Sequence, residues 1–133
     1  MALALTALGK VKGRRSKTRQ NKTIYAFKSI PYAAAPVGDL RFALPEPPEP
    51  WNGTLDCSGR ESPSAMQVNI MSPESKYLVG QEDCLYLNVF TPHLPGAGKR
   101  PIFAVVVWFH GGWGLDFQLM TNDGGMLVVV FDA

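Results

Sequence analysis

The chain has 133 residues, 46% of them apolar and 18% charged, proportions that suit one globular domain and exclude a disordered chain. No stretch approaches the roughly 18 consecutive apolar residues that a membrane-spanning helix needs. The net charge of +2 conceals an asymmetry: residues 1–22 hold seven basic side chains and no acid, and the remainder holds six basic and eleven acidic ones.

Met1–Leu8 is apolar, but it is short, has no cation ahead of it and ends without a small-residue cleavage site. It does not read as a secretory leader, so a cytoplasmic location is favoured over secretion. The sequons Asn21-Lys22-Thr23 and Asn52-Gly53-Thr54 matter only in a secreted chain. Gly9 to Gly13 reads as a turn between short extended pieces. The cations Lys10, Lys12, Arg14, Arg15, Lys17, Arg19 and Lys22 read as a solvated loop rather than a binding arm for nucleic acid or membrane. No aromatic residue is interleaved with them before Tyr25, and no nucleic-acid motif follows.

Thr23–Phe27 alternates as a strand does. Ile30-Pro31-Tyr32-Ala33 and then Pro36-Val37-Gly38 read as a proline-punctuated loop, and Pro45, Pro47, Pro48 and Pro50 prevent regular helix or central strand, so that stretch is expected to run extended over the surface. Trp51 is expected to anchor its far end in the core. Residues 58–80 are polar and turn-rich. Leu85–Thr91 reads as a strand, and Pro92–Arg100 as a turn. Ile102–Phe109 is a continuous apolar run between Pro101 and Gly111, the pattern of a strand buried on both faces. Leu127–Phe131 is a second run of that kind.

Parallel neighbours need a crossover of a dozen or more residues, which the 17 residues from Gly111 to Leu127 would supply, although Gly124-Gly125 makes a poor helix end. No long amphipathic helix is visible. A sheet ending here leaves apolar faces uncovered, so an incomplete, aggregation-prone sheet is expected. Cys57 and Cys84 are compatible with one disulfide or with two buried thiols. Neither has metal-ligand spacing with His93 or His110, so no metal site is expected.

His110-Gly111-Gly112 directly follows the buried run. Glycines there bare backbone amides, which are able to stabilise the oxyanion that develops in acyl transfer. The upstream residues make this weak signal specific. Phe27-Lys28-Ser29-Ile30-Pro31-Tyr32-Ala33 with Pro36-Val37-Gly38-Asp39-Leu40-Arg41-Phe42 resembles the F-x-G-I-P-Y-A … P-V-G-x-L-R-F signature of type-B carboxylesterases and cholinesterases. Trp51-Asn52-Gly53, Glu82-Asp83-Cys84-Leu85-Tyr86-Leu87-Asn88-Val89 and Val107-Trp108-Phe109-His110-Gly111-Gly112 resemble that family's W-x-G, S-E-D-C-L-Y-L-N-V and V-W-I-H-G-G, in family order. The cysteines with their acidic neighbours look closest to insect α-esterases.

The resemblance implies that residues 1–133 are the N-terminal part of a carboxylesterase domain, an α/β fragment of the α/β-hydrolase fold made mostly of strands and loops. It implies ester hydrolysis through an acyl-enzyme on a small-molecule ester, with no cofactor, no nucleic acid and no membrane span. Gly111, Gly112 and Trp113 take the oxyanion-loop positions, with His110 supporting them. Arg41 and Glu82 take those of a structural ion pair, whose burial would make it costly to break from one side.

The chain departs from the family pattern at several positions. It contains no G-x-S-x-G, and Ser75 is its last serine, so no catalytic triad residue is assigned and the chain alone is expected to be inactive. Trp113 replaces a third glycine, Ser29 replaces the glycine of the I-P-Y-A box, and Gln81 replaces a serine. Ala65 stands where secreted members carry the partner of the Cys84 cysteine. The competing reading is a non-catalytic binding or adhesion module that keeps the fold without the triad.

Overall fold

The computed structural model describes residues 1–68, 78–94, 104–109 and 126–131. Its strands are β1 (Ala2–Leu5), β2 (Lys10–Lys17), β3 (Thr23–Pro31), β4 (Thr54–Asp56), β5 (Gln67–Val68), β6 (Leu78–Val79), β7 (Tyr86–Thr91), β8 (Ala104–Trp108) and β9 (Met126–Phe131). A 3-10 turn at Gly38–Leu40 is the only helical element among the described residues. The main sheet has the order β1-β2-β3-β7-β9-β8, with β4 beside β2, while β5 and β6 form a separate two-residue pair.

Alternation explains the first sheet edge. Ala2 and Ala4 pair with Gly13 and Val11, and these four form the inward face, whereas Leu3 and Leu5 pair with Lys12 and Lys10 on the outward face. Gly13 is required here by space rather than by torsion. A Cβ on it would stand 2.5 Å from the Ala26 carbonyl oxygen and 2.6 Å from the Phe27 ring. Phe27 thereby reaches a small core with Ala2, Val11 and Cys57, flanked by Tyr25, Ile30, Leu55 and Val89.

Cys57 stitches three segments together: its N–H donates to Lys12 O (2.7 Å), and its carbonyl accepts from Lys28 N–H (2.8 Å). Trp51 packs against the same core, donates from Nε1 to Lys10 O (2.7 Å) and bonds through its N–H to Leu8 O (2.9 Å). It therefore anchors the end of the proline-rich segment, as expected.

Three expectations need correction. The basic stretch is not a loop: Lys10–Lys17 is strand β2, because alternate residues Val11 and Gly13 face the core while Lys10, Lys12 and Arg14 project outward. Within the apolar run Ile102–Phe109, the described part forms β8, and it is not buried on both faces. Val105, Val106, Val107 and Trp108 are each about half exposed, because among the described residues β8 is the sheet's edge and has β9 as its single strand neighbour. Finally, β8 runs antiparallel to β9, although β9 is parallel to β7. Antiparallel neighbours need no crossover helix, and the Gly111–Gly125 stretch discussed for one lies outside the described residues. No helix among the described residues is long and apolar enough to cross a membrane.

Candidate functional site

Strand β8 leads directly to the glycine pair, and Phe109 is the last described residue before it, 74% exposed. His110, Gly111, Gly112 and Trp113 lie outside the described residues. The surrounding frame is described, and it is built by the proline-rich segment, the bulge in β3 and strand β7.

On the proline-rich segment, Arg41 Nε lies 2.6 Å from Glu82 Oε1, joining the turn at Gly38–Leu40 to the residues that precede β7. The two side chains are 60% and 41% exposed, so water solvates the pair. Breaking it therefore carries no buried-charge penalty, contrary to the expectation of a costly pair. The guanidinium also sits 5.1 Å from the Phe42 ring centroid. Replacing Arg41 by Gln is expected to cost no more than about 1 kcal/mol in urea unfolding. A loss of several kcal/mol would show that the pair is shielded.

Beside this pair is a cleft of about 290 Å³ with Tyr32, Pro36, Leu40, Phe42 and Leu85 on its walls. The Tyr32 N–H bonds to Leu85 O at 3.1 Å, and Ala34 N–H to Glu46 O at 2.9 Å, which hold the two sides of the cleft together. Its polar side chains are the Tyr32 phenol and the Glu46 carboxylate, and no serine, histidine or cysteine lines it.

The bulge is the most ordered polar feature. Phe27 pairs with Val89 and Ile30 with Leu87, so Lys28 and Ser29 together oppose Asn88. Ser29 has φ +57°, the left-handed conformation that favours glycine, and this explains in physical terms why the resembling signature has glycine there. The Ser29 N–H, displaced from the ladder, donates to Asn88 Oδ1 at 2.9 Å. Ser29 Oγ and Ser62 Oγ are 3.2 Å apart, and Ser62 Oγ–H donates to Asn88 Oδ1 at 3.0 Å. All three residues are at most 5% exposed. The Ser29 amide can only donate, so it fixes Oδ1 as the acceptor. Asn88 Nδ2 has no acceptor among the described residues.

Cys57 and Cys84 are both free thiols. Burial, then the adjacent Asp56 carboxylate, pushes the Cys57 thiol up to about 11. Burial and then Asp83 also raise Cys84. A raised thiol in the folded chain means that the folded state holds its proton longer than the unfolded state. Stability from this source is complete below the ordinary thiol value of 9.0 and is lost as pH rises toward about 11. Unfolding followed by circular dichroism is therefore expected to show falling stability across that window, and Cys57→Ser should flatten the fall. Asp56 is held well below the usual carboxylate range by Lys12 at 2.8 Å and by Ser58. Among the described residues no three His, Cys, Asp or Glu side chains gather as a metal site.

Comparison with known proteins places this frame. A model of the carboxylesterase family matches residues 2–130. The chain is 40% identical over 114 residues to juvenile hormone esterase of Tribolium castaneum, covering 84% of this chain and 19% of that protein. It is 38% identical over 137 residues to carboxylesterase 3B of Mus musculus, covering 96% and 24% respectively. It is 41% identical over 111 residues to para-nitrobenzyl esterase of Bacillus subtilis (strain 168), covering 83% and 21%. The chain belongs to the carboxylesterase family. Near-equal identity to insect, mammalian and bacterial members points to the family as a whole rather than to one branch. The chain spans between about a fifth and a quarter of the length of these curated relatives.

The sequence motifs located the Arg41–Glu82 contact and the strand that leads to the glycine pair. They did not single out Asn88 as the centre of a buried cluster. The available signal was a lone amide between Leu87 and Val89 in β7, since a polar side chain in such a place must find partners.

Proposed function

We propose that residues 1–133 form the N-terminal part of a serine carboxylic-ester hydrolase of the α/β-hydrolase type. The family match across residues 2–130, joined to a glycine pair directly after β8, carries this reading. In the whole enzyme an activated serine attacks the ester carbonyl, an acyl-enzyme forms, and water hydrolyses it. The chain's part is the oxyanion loop, in which Gly111 and Gly112 turn their amides toward the developing charge, Trp113 borders the loop and His110 supports it. The serine, acid and base come from outside these 133 residues, so no turnover is expected from the chain alone. The chemistry uses side chains and water, with no cofactor.

A chimera tests the proposal. Residues 2–130 replace the matching segment of the Bacillus subtilis para-nitrobenzyl esterase, and hydrolysis of an aryl ester and labelling by a fluorophosphonate are followed. The chimera is expected to hydrolyse the ester and to be labelled, while the isolated chain does neither. A soluble, folded chimera that binds the fluorophosphonate but does not turn over would remove the oxyanion role. Labelling of the isolated chain would overturn the assignment of the nucleophile elsewhere.

A further inference from the structure

The outward face of the β1–β2–β4 edge combines two features that the sequence keeps apart. Leu3 pairs with Lys12 and Leu5 with Lys10, so each exposed leucine shares a face with a cation from the neighbouring strand. Leu3 is 51% exposed and Leu5 73%, although their neighbours Ala2 and Ala4 face the core. Arg14 continues the row of Lys10 and Lys12 along β2. Lys12 is neutralised by Asp56 at 2.8 Å. Lys10 and Arg14 have no acidic partner among the described residues.

The face is thus an aliphatic strip bordered by uncompensated positive charge. Two aromatic neighbours of β2, Tyr25 opposite Arg15 and Trp51 on the Lys10 carbonyl, pack against the core. A nucleic acid would gain phosphate contacts here, but it has nothing to offer the leucines. An anionic lipid surface satisfies both features. Headgroup phosphates meet Lys10 and Arg14, and the leucines enter the boundary between headgroups and acyl chains.

We infer that this face docks on anionic phospholipid membranes. The binding is peripheral and reversible, because the strip is narrow and the charges few. It is independent of the proposed ester chemistry and uses none of the oxyanion-loop residues.

Flotation of the full 133-residue chain with lipid vesicles tests the inference, and it separates bound protein from any aggregate, which does not float. Vesicles of phosphatidylcholine with phosphatidylserine are compared with phosphatidylcholine alone. Flotation is expected with the anionic vesicles only and is expected to fall with salt. The pair Lys10→Gln and Arg14→Gln should lower partitioning by about thirtyfold, and Leu3→Ser with Leu5→Ser by about tenfold. All four positions are partly or fully exposed. Circular dichroism of each variant confirms folding, and single substitutions replace any pair that does not fold. Absence of flotation, equal flotation with neutral vesicles, or insensitivity to either pair overturns the proposal. Release from the vesicles by an RNA homopolymer, with the leucine pair without effect, also overturns it and makes the face a polyanion site.

Discussion

Alanine at Gly13 is expected to destabilise the chain by about 3 kcal/mol. The new methyl group meets the Ala26 carbonyl oxygen and the Phe27 ring within 3 Å. Backbone in a paired strand cannot withdraw as the end of a flexible side chain can. Relief therefore requires β2 to part from β3, or Phe27 to leave the core it shares with Val11 and Cys57. With a urea slope of about 1–3 kcal/mol/M, the unfolding midpoint should fall by about 1–3 M. Gly59→Ala is the matched control, because nothing lies within 4 Å of its Cβ position, and it should leave the midpoint in place. An unchanged midpoint for Gly13→Ala would show that the neighbouring strand yields at little cost.

Leucine at Asn88 is the second large effect, again about 3 kcal/mol. The side chain is nearly isosteric, so the loss is chemical. The Ser29 N–H and the Ser62 hydroxyl both point at Asn88 Oδ1, and both become buried without that acceptor. Hydrogen exchange should accelerate at the Ser29 amide before it does so across β2. Ser62→Ala alone should cost about 1 kcal/mol. Because the Ser62 hydroxyl donates to the acceptor that Asn88 supplies, the double variant should lose less than the sum of the singles by more than about 0.5 kcal/mol. Simple additivity would mean that the cluster is not a cooperative unit.

These positions show how far the sequence is readable. β3, β7, β8 and β9 announce themselves through alternation or apolar runs between glycine and proline breakers, and each is present with ends shifted by a few residues. β2 was harder. Its inward positions are Val11 and Gly13, so a strand whose core face is one valine and one glycine looks like a charged loop unless the outward row of Lys10, Lys12 and Arg14 is read as the period-two signal.

The apolar run of β8 predicted burial, but burial depends on what lies beside a strand, and at a sheet edge the same valines stay half exposed. Of the site, the contact between Arg41 and Glu82 was legible from motif order, and its solvation was not, because exposure is a property of the surroundings. Asn88 was present in a quoted motif, yet its role depends on a bulge formed with a segment 59 residues away.

The bulge also bears on how the chain finds its pairing. Strands with a two-residue period are vulnerable to slippage by one position, which turns every side chain to the wrong face. In β3 and β7 a single carboxamide works against this error. Only when Lys28 and Ser29 lie together opposite Asn88 does a stray amide hydrogen meet Oδ1, and any slipped register leaves both groups unsatisfied in the interior. The two segments are distant in sequence, so their meeting is slow and entropically costly, and a checkpoint at the point of closure is most useful there. The Asn88 contact thus favours the observed register over its neighbours.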